Sequence, residues 1–261
     1  MEDLFVIKIG GNIIDDDEKL SSFLRSFSSV RSHKILVHGG GKLATRIAGK
    51  LGVSQQLIEG RRITDAETLK IVTMVYAGLV NKNIVAQLQA KGCNAIGMCG
   101  ADANIISAHK RVHDTVEYGF VGDIDGVDAP RLRQFIKDGL TPVIAPITSD
   151  KEGQLLNTNA DTIAQEIAKA MSSYYHVQLI YSFEKSGVLL DASDDTTVIS
   201  LINKKEYAAL KQENKIFAGM VPKIDNAFIA LDSGVKKVII GRAEELDNLI
   251  NNSAGTIITH E

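Results

Sequence analysis

Apolar residues fall along this chain in two rhythms. Short uninterrupted runs, such as Leu4-Phe5-Val6-Ile7, alternate with stretches in which apolar positions recur at helical spacing. The first rhythm marks strands buried on both faces, and the second marks amphipathic helices. A strand over Leu4–Ile9 is followed by a helix near Asp17–Val30. A strand over Lys34–His38 leads through Gly39-Gly40-Gly41 into a helix with Leu43, Ile47 and Leu51 on one face. A long helix is predicted over Ala66–Lys91, with Leu69, Val72, Tyr76, Leu79, Ile84 and Leu88 in one broad apolar stripe. Asn94–Cys99 reads as a strand, Ile105–Ile124 as an antiparallel hairpin excursion, and Pro130–Lys137 as a helix. Further strands are expected over Thr141–Ile147, His176–Ser182, Val235–Ile240 and Gly255–Thr259. This alternation predicts an α/β fold with a mainly parallel central sheet and helices on both faces. With only four prolines and no linker-like tract, the chain reads as one domain over residues 1–261. Two closely packed lobes are expected, residues 1–160 and 161–261, with the boundary inside Thr158–Met171.

Composition narrows the partners. A length of 261 residues, 44% hydrophobic and 23% charged, is that of a globular protein with a sizeable core. A net charge of −3 gives no reason to expect nucleic acid or an anionic membrane as partner. Cys93 and Cys99 have neither metal-ligand nor redox spacing and read as reduced, buried thiols of a cytoplasmic protein. Glu2 and Asp3 stand where a signal peptide would carry basic residues, and no apolar run approaches ~18 residues.

Open α/β sheets bind ligands beyond the C-terminal ends of their strands, which directs attention to the loops there. The first apolar run delivers Lys8 into Gly10-Gly11, where close-approaching amides and an ammonium make a small phosphate platform. His38-Gly39-Gly40-Gly41-Lys42 joins a strand to a helix, whose free amides and dipole also favour an anion. Neither cluster is a nucleotide P-loop or a dinucleotide fingerprint, because Leu43 follows Lys42 and the glycine spacing is wrong. Gly60-Arg61-Arg62-Ile63-Thr64-Asp65 places arginines at the entrance of the long helix, where one could clamp a carboxylate or simply be solvated. Asn157-Thr158-Asn159-Ala160-Asp161 opens another helix. Asn159 could be its cap and Asp161 a first-turn acid, which leaves polar Asn157 unexplained. Gly219-Met220-Val221-Pro222-Lys223 puts a lysine against a helix dipole, a local penalty that an anionic ligand would offset.

Taken together and in this order, Lys8-x-Gly10-Gly11, His38-Gly39-Gly40-Gly41, Gly60-Arg61-Arg62, Asn157-x-Asn159-Ala160-Asp161 and Gly219-Met220-x-x-Lys223 resemble the motifs of the amino-acid kinase superfamily. The resemblance covers essentially the whole chain and is nearest to members that phosphorylate the γ-carboxylate of an N-acylated glutamate. It implies an αβα sandwich whose N-terminal lobe holds the acyl amino acid and whose C-terminal lobe holds ATP. It further implies that Lys8 and Lys223 stabilise the transferring phosphoryl group and that Asp161 orients both. Gly40, Gly41, Arg62, Asn157 and Asn159 would contact the acyl substrate. Gly10, Gly11, Glu184, Gly187, Gly219 and Met220 would contact ATP. No metal ligand is assigned; Mg²⁺ would be held by ATP phosphates and water.

One segment departs from the family's wording. Ser182-Phe183-Glu184-Lys185-Ser186-Gly187 carries Glu184 and Lys185 where the superfamily usually has Asp-Val, which implies altered nucleotide contacts. Cys99-Gly100-Ala101-Asp102 also differs, which leaves acetyl and succinyl open as the acyl group. Another phosphotransferase of the superfamily is the nearest alternative; retention of both lysines and Asp161 argues against a silent ligand-sensing relative. Because the first strand begins near Leu4, the extra N-terminal helix of arginine-inhibited hexamers is not expected. An arginine-insensitive homodimer is expected instead, with the Ala66–Lys91 helix at the contact.

Overall fold

The structure is a computed structural model that describes residues 1–58, 61–191, 193–213, 215–216 and 220–260. Strand β1 (Asp3–Ile9) is followed by a single helical turn, α1 (Gly11–Ile14), and the amphipathic α2 (Asp17–Ser29). Asp16 caps α2, its carboxylate accepting from the amides of Glu18 and Lys19. Next come β2 (His33–His38), α3 (Gly41–Lys50) and the short pair β3 (Leu57–Ile58) and β4 (Arg61–Arg62). The predicted long helix runs as α4 (Ala66–Thr73), a π-helical stretch Met74–Val80, and α5 (Asn81–Ala90). After it lie β5 (Ala95–Cys99), β6 (Ile106–Lys110), β7 (Gly122–Val127), α6 (Ala129–Lys137), β8 (Thr141–Ala145), β9 (Ile147–Ser149) and β10 (Leu155–Asn157). The remaining elements are α7 (Ala160–Met171), β11 (His176–Phe183), β12 (Leu201–Ile202), α8 (Lys204–Gln212), α9 (Val221–Asp232), β13 (Lys237–Arg242), α10 (Leu246–Ile250) and β14 (Thr256–Ile258).

The central sheet has eight strands in the order β12-β14-β13-β11-β1-β2-β8-β5. Every neighbouring pair in it is parallel except β13 with β14. Both faces are covered, which explains the continuous apolar runs. Along β1, Leu4 and Val6 enter one layer with Ile163 and Ile167 of α7 and Ile224 of α9. Phe5, Ile7 and Ile9 enter the opposite layer with Phe23 and Phe27 of α2, Ile84 of α5 and Leu246 of α10. Phe23 and Phe27 are fully buried, each contributing roughly 1.5–3 kcal/mol from burial. Lys8 shares the alternation of Leu4 and Val6 and so stands at the strand's end on the α7 side.

Three sequence expectations change. Leu79 is more than half exposed while Tyr76, Val80, Ile84 and Leu88 are buried. The wider turns of Met74–Val80 rotate the apolar stripe, so a constant helical period misplaces Leu79. Leu51 caps the C-terminus of α3 and is exposed, and Ala44 and Ala48 form the buried face instead. The Thr141–Ile147 strand breaks at Pro146, whose missing N–H ends β8 and starts β9 in a second sheet. That sheet, ordered β10-β9-β6-β7, contains the expected hairpin of β6 and β7. Cys93 and Cys99 are free and buried, as expected. The Ala66–Ala90 helix is long and apolar enough to cross a membrane by length and composition, although no uninterrupted apolar run has that length, and 44% of its most apolar window is buried.

Candidate active site

The strand order places β1 between β2 and β11, so the chain leaves its central strand to opposite sides. Such a switch point opens a crevice beyond the strand's C-terminal end, and Lys8 stands at its mouth. Helix α7 begins across from it. Asn159 caps that helix, accepting from the amides of Asp161 at 2.8 Å and Thr162 at 3.1 Å. The cap fixes the first turn and aims the Asp161 carboxylate at Lys8 Nζ, 2.7 Å away. Both side chains are largely buried. Burial alone would raise the Asp161 pKa, but the charges of Lys8 and Lys223 and the Lys8 hydrogen bond outweigh it and hold it below its ordinary value. The Tyr181 hydroxyl, whose pKa burial raises well above its usual value, donates to the Asp161 carbonyl at 3.3 Å.

Lys223 lies in the first turn of α9, directly after Pro222. Its ammonium sits 4.8 Å from the centre of the Phe183 ring at the end of β11. Burial lowers its pKa; Asp161 opposes that, Lys8 adds to it, and Glu184 also opposes it. Lys8, Asp161, Lys223 and Glu184 therefore form one electrostatic group, although they are far apart in sequence. Among the described residues Asp161 forms its ion pair with Lys8 alone; Lys223 stays beyond ion-pair distance and feels Asp161 through space.

Beside this group lies a cleft of about 450 Å³ lined by Gly40, Gly41, Arg62, Tyr76, Arg111 and Asn157, among others. Its walls meet through the second sheet. Thr64 bridges to Gly119, and Val121 bridges to Asn157. Gly119 has φ +72°, and a side chain there would place its Cβ 2.2 Å from the Thr64 carbonyl oxygen. Only glycine permits that approach. The Arg62 guanidinium spans the cleft wall, donating to the Gly41 carbonyl at 2.9 Å, to Thr45 Oγ1 at 2.8 Å and to Gln55. Asn157 donates to Thr64 Oγ1 at 3.0 Å, which explains its polarity beside an apolar pair. Asn159 lines the cleft too, but its oxygen is committed to the cap, leaving only its amide nitrogen for a ligand. Gly40 has φ +147°, and a Cβ there would lie 3.0 Å from the Tyr76 ring.

Several expected contacts look different. The Gly10 amide donates to the Ser182 carbonyl at 3.1 Å, so it is not a free phosphate donor. Gly11, by contrast, has open space where a side chain would project. Gly187 is a packing residue: a Cβ there would come within 2.6 Å of Thr256 Oγ1, and its neighbour Val188 donates to that same hydroxyl. Met220 caps α9 and packs against the apolar layer of Ile224 and Phe228. Glu184 is exposed beside Lys223. Gly60 and Gly219 lie outside the described residues. Sequence reasoning missed Arg111, whose guanidinium lines the cleft while engaging both oxygens of Asp123, at 3.1 and 3.0 Å from Nε. It lies just after β6 in an alternating ribbon, and no local motif marks it. Helical spacing marks Tyr76 only as part of the apolar stripe; its ring lies against Gly40 and its hydroxyl near Gly41.

The sequence profile described as the amino acid kinase family matches residues 3–242. The chain belongs to this family. Among relatives, an acetylglutamate kinase of Cytophaga hutchinsonii is 54% identical over 97% of this chain and 96% of its own length. One from Phocaeicola vulgatus is 52% identical over 98% of each chain. Among solved structures, a Streptococcus mutans UA159 protein superposes with a TM-score of 0.80 at 28% identity, covering 100% of both chains. The Neisseria gonorrhoeae N-acetylglutamate synthase complexed with coenzyme A and N-acetyl-glutamate reaches 0.83 at 21% identity, with 100% of this chain covering 60% of that one. This last likeness concerns the fold alone. The family's αβα architecture is therefore the one found here.

Proposed function

We propose that the protein catalyses ATP-dependent phosphorylation of the γ-carboxylate of N-acetylglutamate to an acyl phosphate, a step of arginine biosynthesis. The observation that carries this reading is the Lys8–Asp161 pair with Lys223 beside it, opening onto a cleft bordered by Arg62. Acetylglutamate kinases at about half identity over nearly the full chain supply the substrate.

A γ-carboxyl group has a pKa of about 4.3, so at neutral pH the nucleophile is already ionised and needs no general base. The obstacle is electrostatic, because an anion must approach a polyanion. In this reading Lys8 and Lys223 neutralise the equatorial and bridging oxygens of the transferring phosphoryl group. Asp161 sets the position of Lys8 by direct contact and favours the charged form of Lys223 through space. Gly40, Gly41 and Gly11 supply backbone contacts, and Arg62 clamps the substrate's other carboxylate after exchanging the Gly41 carbonyl and Gln55 for it. Asn157 and the Asn159 amide nitrogen complete the acyl site, and Glu184 borders the nucleotide. The described residues contain no group of His, Cys, Asp or Glu side chains that could hold a metal ion. Mg²⁺ would enter with ATP, held by its phosphates and water, and would supply further neutralisation of phosphate charge beside Lys8 and Lys223.

The N-terminal lobe, residues 1–160, is assigned to the acyl substrate and the C-terminal lobe to ATP. A cytoplasmic homodimer joined through the Ala66–Ala90 helix fits the exposed Met74 and Leu79 on its outer side. The test of function is ADP release with ATP, Mg²⁺ and a panel of acceptors: N-acetylglutamate, N-succinylglutamate, glutamate, aspartate and a nucleoside monophosphate. N-acetylglutamate is expected to give the highest kcat/KM. A higher value for any other acceptor refutes the assignment.

A further inference from the structure

His38 is fully buried at the end of β2, a place where both ring nitrogens of an imidazole have to be satisfied. Its Nδ1 lies 2.8 Å from the carbonyl oxygen of Gly39. A carbonyl can only accept, so Nδ1 carries the proton, and Nε2 of the neutral ring is an acceptor. The buried Asn81 of α5 supplies the donor, its Nδ2 lying 3.1 Å from Nε2. Asn81 is itself anchored: Nδ2 donates to the Val143 carbonyl at 2.9 Å, and Oδ1 accepts from Lys82 Nζ at 3.1 Å. Lys82 Nζ donates in turn to the Gly97 carbonyl at 2.9 Å. The chain of contacts is closed and leaves one tautomer. Burial pushes the imidazole down to about 4, so the ring remains in this neutral state throughout the working range.

The consequence falls on the next peptide. In a planar trans peptide the C=O and N–H point in opposite directions. His38 draws the Gly39 carbonyl toward the buried ring, so the Gly40 N–H faces the other way, toward the cleft that Gly39 and Gly40 line. Among the described residues that N–H has no partner, while the Gly40 carbonyl accepts from Ala44 at 3.0 Å and begins α3. A φ of +147° lets this orientation coexist with the start of the helix.

We propose that His38, locked by Asn81, is a positioning residue that holds the Gly39–Gly40 peptide so that the Gly40 amide is presented to the anionic acyl acceptor in the cleft. This rests on the reading of that cleft as the acceptor site. The test compares His38→Asn, whose side-chain amide can replace the Nδ1 donor, with His38→Gln, which can replace only the Nε2 side. His38→Gln is expected to lower kcat/KM for N-acetylglutamate by about 10–100-fold, the range for losing a hydrogen bond to a charged group, with KM for ATP within about twofold. His38→Asn is expected to recover to within about threefold of the parent. Asn81→Ala, which keeps the ring but removes its anchor, is expected to show the same selective loss in smaller measure. If His38→Gln does not accumulate folded, the other two variants carry the test. Equal impairment of His38→Asn and His38→Gln, a parallel rise in KM for ATP, or an unchanged Asn81→Ala enzyme overturns the proposal. Failure of the parent enzyme to use N-acetylglutamate strikes at the functional reading instead, so the two failures are distinguishable.

Discussion

Replacing Asp161 with asparagine keeps the shape of the side chain and removes its charge from between two lysines. At the 2.7 Å separation from Lys8, an effective dielectric of about 20 gives a gross attraction of roughly 6 kcal/mol. Desolvation offsets much of this, and removing one partner of such a pair costs on the order of 3 kcal/mol because the remaining charge is left uncompensated. Here the uncompensated charge is the one the reaction uses. Without Asp161, Lys8 loses its direct anchor and Lys223 loses the stronger-acting of the two charges that sustain its protonation, with Lys8 still repelling it. The expected kinetic result is a fall in kcat of about 10²–10³, the scale for a displaced transition-state donor. A second signature separates charge loss from mere misfolding. Burial already holds Lys223 below its ordinary value of 10.5 and the Asp161 charge holds it up, so the alkaline limb of kcat moves to lower pH in Asp161→Asn. ADP release at saturating substrates, followed across the neutral-to-alkaline range beside a thermal melt, reads both effects. A variant with kcat within threefold of the parent and an unmoved alkaline limb refutes the arrangement.

The same carboxylate has an acid-side consequence. Its folded pKa lies below the ordinary 3.8, so its contribution to stability is complete above that value and is lost as pH falls through the folded pKa. Acid unfolding of Asp161→Asn is therefore expected to lack that part of the pH dependence, as followed by circular dichroism from neutral pH downward. Arg62→Lys keeps the charge but loses the planar fork; KM for N-acetylglutamate is expected to rise about 10–100-fold with KM for ATP unchanged, measured by initial rates. Gly40→Ala must place a Cβ 3.0 Å from the Tyr76 ring in a backbone region that side chains rarely adopt, and a loss of about 1–3 kcal/mol in denaturant unfolding is expected. Gel filtration with light scattering reports the dimer; a monomer excludes the Ala66–Ala90 interface.

The central layer was legible because burial on both faces writes itself into the sequence. Leu4 to Ile7, Ile35 to Val37 and Leu179 to Tyr181 are apolar whichever way they point, and a polar residue (Lys8, His38, Ser182) ends each run. The start of α7 was legible for a local reason too, and Asn159 is the cap that its neighbours suggested. What was illegible depended on contacts between distant segments. Leu79 fits a constant period, and only the π-helical stretch expels it from the core. Gly187 resembles a nucleotide-loop glycine in sequence, whereas its packing against Thr256 is visible only once β14 is in place. Arg111 has no local signature, because its place in the cleft is set by the second sheet and its pairing with Asp123. His38 was visible merely as the residue before three glycines; the partner that gives it a task, Asn81, sits more than forty residues on, in helix α5.

In the proposed reaction two lysines stabilise transfer from ATP to a carboxylate, and trapping the product with hydroxylamine tests this most directly. Incubated with N-acetylglutamate, Mg²⁺ and ATP, the parent enzyme is expected to form hydroxamate in step with ADP. Lys8→Ala and Lys223→Ala are each expected to form it about 10²–10³ times more slowly while remaining folded. ADP release without hydroxamate in the parent, or near-parental rates in either lysine variant, would contradict it.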